Sequence, residues 1–226
     1  MKIHYFFVEK QIGNDTSVVI ETKELLHQWK RVFRFGPEDR IVLLDNSGFE
    51  FWGTIKKITT DSALVSINEK RKGRMPKELS LTIALPKKDK FEWILEKGTE
   101  LGVSHFYPII SERSEKKDLN IERSEKIIKE AAEQSEHSVL PEISEVGTVE
   151  EALKNTQKKI VLDPRGDPFQ KGKFTVPLNI FIGPEGGWSG QELDLFKKEG
   201  IEIVSLGEQI LKTETAAVAV ASLLLL

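Results

Sequence analysis

The sequence predicts a parallel α/β domain preceded by a small β-barrel domain, and three observations carry that reading. From Leu79 onward, apolar runs of strand length alternate with helical patterns, the grammar of a parallel sheet with crossover helices. Before Glu69 the apolar runs are short, closely spaced and separated by turn residues, as in a small barrel. Between the two lies EKRKGRMPK, Glu69 to Lys77, a charged segment with a glycine that reads as a linker. Residues 1–73 and 74–226 are therefore expected to form separate domains.

In the first region Val18–Ile20, Arg40–Leu44, Glu50–Ile58 and Ala63–Ile67 read as strands, with Asn46, Ser47, Gly48 and Asp61 at the turns. In the second, Leu79–Leu85 reads as a strand, Phe91–Leu101 as a helix, Phe106–Ile110 as a strand, Glu122–Glu136 as a helix and Ile160–Leu162 as a strand. Ile127, Ile128, Ala131, Ala132 and Ser135 share one face of the helix from Glu122, so that face is expected to be buried. Leu178–Ile182 is a further short apolar run suited to a buried strand. The turn that follows it, Gly183, Pro184, Glu185, Gly186 and Gly187, lets backbone come close to a ligand. Ser189 and Glu192 form a capping box that starts a helix, Leu193 and Phe196 lie three apart on it, and Gly200 is placed to end it. Ile201–Leu206 is the last strand and stops at Gly207, after which Glu208–Thr215 leads into an alanine-rich stretch. The two apolar runs with glycine turns stand about 23 residues apart. Both turns fall at carboxyl ends of strands, where parallel α/β sheets bind ligands.

Composition bounds the possibilities. A chain of 226 residues with 39% hydrophobic content fills one large domain or two ordinary ones. Without cysteine, neither a disulfide framework nor a cysteine-based zinc site is possible, and a reducing cytoplasm is the expected setting. His4, His27, His105 and His137 are scattered, so no metal is expected. The apolar stretch after Lys2 and His4 is too short for a signal peptide, and Ala216–Leu226 is too short to span a bilayer. The net charge of −3 argues against nucleic acid, yet residues 1–74 carry 13 Lys and Arg against 10 Asp and Glu. There, HQWKRVFRFG sets Lys30, Arg31 and Arg34 beside Trp29, Phe33 and Phe35, a mixture able to meet phosphates and stack on bases. An ordinary amphipathic turn fits the same residues. GPEGGWSG is neither a phosphate loop ending in Gly-Lys-Ser/Thr nor GxGxxG. Taken alone it is compatible with a plain tight turn, and the second glycine turn is what favours a pocket.

GPEGGWSGQE together with VSLGEQILKTETA resembles the bacterial 16S ribosomal RNA uridine-N3 methyltransferases of the RsmE type, members of the SPOUT, or trefoil-knot, class. ILEKGTELGVSHFYPIISERS from Ile94 and AAEQSEHSVLPEI from Ala131 extend the resemblance. HQWKRVFRFGPEDRIVLLDNSG is similar, less specifically, to the PUA-like barrel that precedes the knotted domain in that family. The resemblance implies a C-terminal knot holding S-adenosyl-L-methionine. Carried over by position, Ile182, Gly183, Pro184, Glu185 and Gly186 form one wall of the pocket, Leu206, Gly207, Ile210 and Leu211 another, and Thr213, Glu214 and Thr215 complete it. It further implies 16S ribosomal RNA of the small subunit as substrate, a homodimer, and an RNA-binding barrel in which Lys30, Arg31 and Arg34 take part. Two positions depart from the family pattern: His137 and Lys212 stand where arginine is usual. Lys212 keeps the charge of an RNA contact without the planar fork.

Methyl transfer to uridine N3 requires loss of the N3 proton and favours a cation near the uracil carbonyls. Arg113, in SERS after the Phe106–Ile110 strand, is the candidate cation, although a solvated loop arginine fits the same position. Glu214 and Glu185 are the nearest carboxylates in sequence, and Glu214 is a tentative second catalytic residue, but no base is assigned. Two other functions fit: a non-catalytic RNA-binding or ribosome assembly factor of the same fold, and another small-molecule α/β enzyme.

Overall fold

The closely spaced strands of the first region pair as a five-stranded mixed sheet in the computed structural model, which describes residues 3–87, 90–115 and 118–226. The chain divides into two compact units, Met1–Met75 with Ala132–Val139, and Pro76–Ala131 with Leu140–Leu226.

In the first unit the strands are β1 (Tyr5–Phe7), β2 (Ser17–Ile20), β3 (Arg40–Leu44), β4 (Phe49–Ile58) and β5 (Ala63–Lys72), in the order β1-β3-β4-β5-β2. They make a half-barrel. β1 runs parallel to β3 and the other pairs are antiparallel. β1 escapes a sequence reading because three residues are too few to show an alternation; its pairing with Val42–Leu44 defines it. Helix α1 (Lys23–His27) runs into one π-helical turn, Gln28–Val32, closed by the bond from Phe33 N to Gln28 O at 3.1 Å. That turn overturns one expectation. The aromatic residues beside Lys30, Arg31 and Arg34 do not face outward for base stacking. Trp29 is fully buried, and Phe33 and Phe35 stack on each other at 5.2 Å and pack against the core. The wider winding of a π turn, followed by Arg34 at φ 57°, sends the aromatic rings inward and leaves all three cations exposed.

The second unit is a parallel sheet. Its elements are β6 (Leu79–Ala84), α2 (Lys90–Leu101), β7 (His105–Ile110), α3 (Ile121–Gln134), β8 (Glu142–Ile143), β9 (Gly147–Thr148), α4 (Val149–Leu153), β10 (Lys159–Pro168), β11 (Leu178–Ile182), α5 (Gly190–Lys198), β12 (Glu202–Ser205) and α6 (Thr213–Leu225). The order is β12-β10-β11-β6-β7-β8, with β9 also on β7, and every pair is parallel. All of β6 and β11 is buried, as central strands covered on both faces must be. This is the α/β class expected, with a half-barrel before it.

Three local features position the loops. The capping box of α5 forms as expected, with Glu192 N donating to Ser189 Oγ at 3.2 Å and Ser189 N to Glu192 Oε2 at 2.8 Å. Its other oxygen, Glu192 Oε1, accepts from Glu112 N at 2.9 Å and so ties the loop after β7 to this helix start. β10 is longer than the Ile160–Leu162 run suggests, because it bulges between Leu162 and Asp167 before pairing with β12 again. A side chain at Gly166 would put its Cβ 2.5 Å from the Ile203 carbonyl, so only glycine lets the bulge lie against β12.

Helix α3 stops two residues before the expected Glu136, which takes φ 61°. Ile128, Ala131 and Ala132 are buried on it, as the spacing predicts. Its end, from Ala132, belongs to the first unit: Glu133 Oε1 accepts from Phe7 N at 2.8 Å, Ser138 Oγ donates to Arg74 O at 2.9 Å, and His137 bridges Arg74. Among the described residues no helix is long and apolar enough to cross a membrane.

Candidate active site

Strands β11 and β12 end on either side of β10 where it bulges after Leu162, and the loops and bulge there enclose a cavity of about 230 Å³. The β11 turn contributes Ile182, Gly183, Pro184 and Glu185 from the expected set, and the segment after β12 contributes Leu206, Ile210, Leu211 and Thr213. Gly186, Gly207, Glu214 and Thr215 are not on the wall. Gly187 and Trp188 stand there in the first turn, and Lys212, expected as an RNA contact, also lines the cavity. The sequence does not point to a third segment, Leu162, Asp163 and Pro164, where β10 bulges. Its sequence, LDPRGDP, carries strand-end and turn residues, but no spacing in the chain tells that β10 lies between β11 and β12.

Trp188 organises the first turn. It is buried, its indole N–H donates to Leu162 O at 3.1 Å, and its ring meets Phe196 edge-on at 5.0 Å. Gly183 lies directly under that ring, where a Cβ would come within 3.2 Å of the indole. Trp188 packing thus leaves little room for a side chain at Gly183, which also stands on the cavity wall. The backbone on either side of Gly187 is held by two arginines. Arg113 Nη1 donates to Gly186 O at 2.9 Å and reaches Trp188 O at 3.4 Å, while Arg165 Nη2 donates to Trp188 O at 3.2 Å. Arg113 is exposed and off the cavity wall, with one guanidinium nitrogen, Nη1, holding the turn's carbonyls.

Two carboxylates do line the cavity, each met by a cation. Asp163 binds Arg165 through both oxygens, at 2.7 and 2.8 Å. Burial works to raise its pKa, but the Arg165 hydrogen bonds outweigh this and hold the carboxyl below its usual range. Glu185 accepts from Lys90 Nζ at 2.9 Å and from Lys87 N at 3.1 Å, and it too is held low against the effect of burial. Lys90 also lies 3.6 Å from Glu214 Oε2, and the bond to Glu185 raises the lysine pKa. Glu214 consequently sits behind Glu185, off the wall, joined to it by a shared lysine. Thr213 Oγ1 donates to Gly183 O at 3.0 Å, which ties the start of α6 to the first turn.

The arrangement suits a nucleoside carrying positive charge. Leu206, Ile210 and Leu211 supply apolar faces for a base, backbone at the strand ends supplies hydrogen-bond edges, and Glu185, ionised and partly open to solvent, favours a cation. Residues 73–225 match the RNA methyltransferase domain family. Over 96% of its length the chain is 32% identical to the ribosomal RNA small subunit methyltransferase E of Helicobacter pylori strain J99, covering 98% of that protein. The chain belongs to the ribosomal RNA small subunit methyltransferase E family. The Bacillus subtilis member is 30% identical, with 96% of this chain and 93% of that protein covered. The fold recurs in the crystal structure of the Neisseria gonorrhoeae member bound to S-adenosyl methionine, with TM-score 0.87 at 24% identity, covering 98% of this chain and 96% of that one.

Proposed function

We propose that this chain methylates N3 of a uridine in 16S ribosomal RNA of the small subunit, taking the methyl group from S-adenosyl-L-methionine, and works as a cytoplasmic homodimer. Family membership makes it an S-adenosylmethionine-dependent methyltransferase of small-subunit ribosomal RNA. The observation that carries the reading is the cavity at the ends of β11 and β12 and the β10 bulge between them, whose apolar walls and ionised Glu185 suit a cationic nucleoside.

S-adenosylmethionine, when bound, supplies an electrophilic methyl group. The chain's own part is to position and to exclude water. Leu206 and Leu211 cover the base, Lys212 is the cation on the wall, and Arg113 and Arg165 hold the Trp188 carbonyl and thereby the shape of the first turn. Glu185 on the wall and Glu214 behind it are bridged by Lys90, which is kept protonated and so is unfit to act as a base. Lys30, Arg31 and Arg34 form an exposed cationic surface suited to RNA phosphates. Exposed Trp93 on α2 and Leu223 on α6, two helices that pack together, support a second copy as partner.

The test has two parts. Calorimetry should show binding of S-adenosylmethionine and S-adenosylhomocysteine and none of ATP. Incubation with small ribosomal subunits lacking the modification should then place labelled methyl on one uridine, located by nuclease digestion and mass spectrometry. Methyl transfer to another base, or to a carbon or ribose oxygen, would overturn the N3 assignment while leaving the cofactor assignment standing.

A further inference from the structure

Asp163 lies where β10 leaves its pairing with β11: Leu162 is the last residue in register, opposite Ile182, and Asp163 is next to it on the cavity wall. Its side chain is 2% exposed. Oδ1 accepts from Arg165 N at 2.9 Å and from Arg165 Nε at 2.7 Å, while among the described residues Oδ2 accepts only from Arg165 Nη2 at 2.8 Å. A carboxylate offers about four acceptor sites, so one remains on Oδ2. Water cannot meet it readily at this burial, and an unmet buried acceptor is costly. Glu185, the other carboxylate on the wall, is 26% exposed, and solvent reaches it.

The donor that fits Oδ2 is constrained by charge. Arg165 already neutralises Asp163 through two side-chain bonds, and its guanidinium is anchored to Trp188 O, so it does not swing away. A second cation brought to the same carboxylate would meet that guanidinium at close range, whereas a neutral O–H donor meets no such repulsion. The other hydroxyl-bearing groups of the wall are occupied: Thr213 Oγ1 by Gly183 O, and Ser205 Oγ by Gly207 O at 2.8 Å. Resting on the reading that the cavity takes S-adenosylmethionine, we propose that Asp163 is a ligand-binding residue that accepts a hydrogen bond from a ribose hydroxyl of the cofactor, with Arg165 as the positioning residue that orients it. The cofactor's ammonium and sulfonium groups then lie away from the β10 bulge.

The experiment is calorimetric titration of the full chain with S-adenosylhomocysteine and with its 2′-deoxy and 3′-deoxy forms. For the parent chain, loss of the hydroxyl that Asp163 reads should weaken binding by roughly ten- to hundredfold. In Asp163→Asn the same two ligands should differ by no more than about threefold. Because Asp163→Asn leaves the guanidinium uncompensated and can disturb the loop, the double variant Asp163→Asn/Arg165→Gln, which removes both charges together, is titrated beside it and should show the same loss of discrimination. A purely structural role would weaken all ligands equally and keep the deoxy penalty, which would overturn the proposal. So would a parent chain that binds S-adenosylhomocysteine but tolerates loss of either hydroxyl. A parent chain that binds neither S-adenosylhomocysteine nor S-adenosylmethionine would instead sink the cofactor reading itself, and the inference with it.

Discussion

In the half-barrel, the segment from Trp29 to Phe35 mixes rings and cations along the chain, and the structure separates them: rings into the core, cations into solvent. In the parallel sheet, the turn from Gly183 to Trp188 also mixes a ring with polar neighbours, but here the ring stays at the site. Trp188 is as buried as Trp29, yet it forms part of the cavity wall, because it caps strand ends instead of filling the interior between strands. The contrast teaches that an aromatic residue beside functional residues is not itself functional by proximity. What decides is whether the backbone at that point ends an element of the sheet or winds across its face.

The comparison breaks most visibly at Gly183. Gly183→Val would drive its side chain into the Trp188 indole, so binding of S-adenosylhomocysteine should become undetectable by calorimetry. Stability should fall at the same time, by about 1–3 kcal/mol as for other overpacked sites. Normal thermal stability with lost binding would mean that Gly183 meets the ligand directly and that Trp188 packing is not what requires it.

Arg113 tests the next level. With Nη1 holding Gly186 O and Trp188 O, Arg113→Ala should loosen the first turn and weaken S-adenosylhomocysteine binding, as well as slow single-turnover methylation by roughly 100-fold. A slowed rate at unchanged cofactor affinity would instead place Arg113 on the reacting base.

The half-barrel should respond differently. Changing Lys30, Arg31 and Arg34 together to alanine should leave cofactor affinity alone and flatten the salt dependence of RNA binding by roughly 0.7–0.9 for each phosphate no longer neutralised. Because the neighbouring rings are already in the core, the fold should be unaffected. An unchanged salt slope would remove this surface from the proposed RNA interface.

The smallest difference, nil at neutral pH, lies in how each unit meets extremes of pH. Asp163 and Glu185 have folded-state pKa values below the ordinary carboxylate range, so their contribution to stability is present above that range and is lost as pH falls through the folded values. Burial, with Glu50 and Glu136 nearby, pushes the Tyr5 phenol of the half-barrel up to about 12. Its contribution is present below the ordinary tyrosine value of 10.0 and is lost as pH rises toward about 12. Denaturation midpoints measured against pH should show Asp163→Asn flattening the acid limb alone and Tyr5→Phe the alkaline limb alone.

Much of this protein was determined by the sequence itself. Long periodic runs and cap residues are local properties, so β3 and β11 stand at their expected bounds, and the Ser189–Glu192 box forms as its spacing requires. The two glycine turns at strand ends were legible for the same reason, since strand length and glycine position are both written in neighbouring residues. Only the tertiary structure decided the rest. That β10 runs between β11 and β12, and so brings Asp163 to the cavity, depends on strand order, which pairs residues far apart in the chain. That Arg113 is engaged at the Gly186 and Trp188 carbonyls depends on the loop after β7 meeting the β11 turn. That Ala132–Val139 packs with the half-barrel depends on hydrogen bonds to Phe7 and Arg74, far upstream in the chain. In each case the deciding interaction is long-range, and local pattern carries no information about which distant partner a side chain will meet.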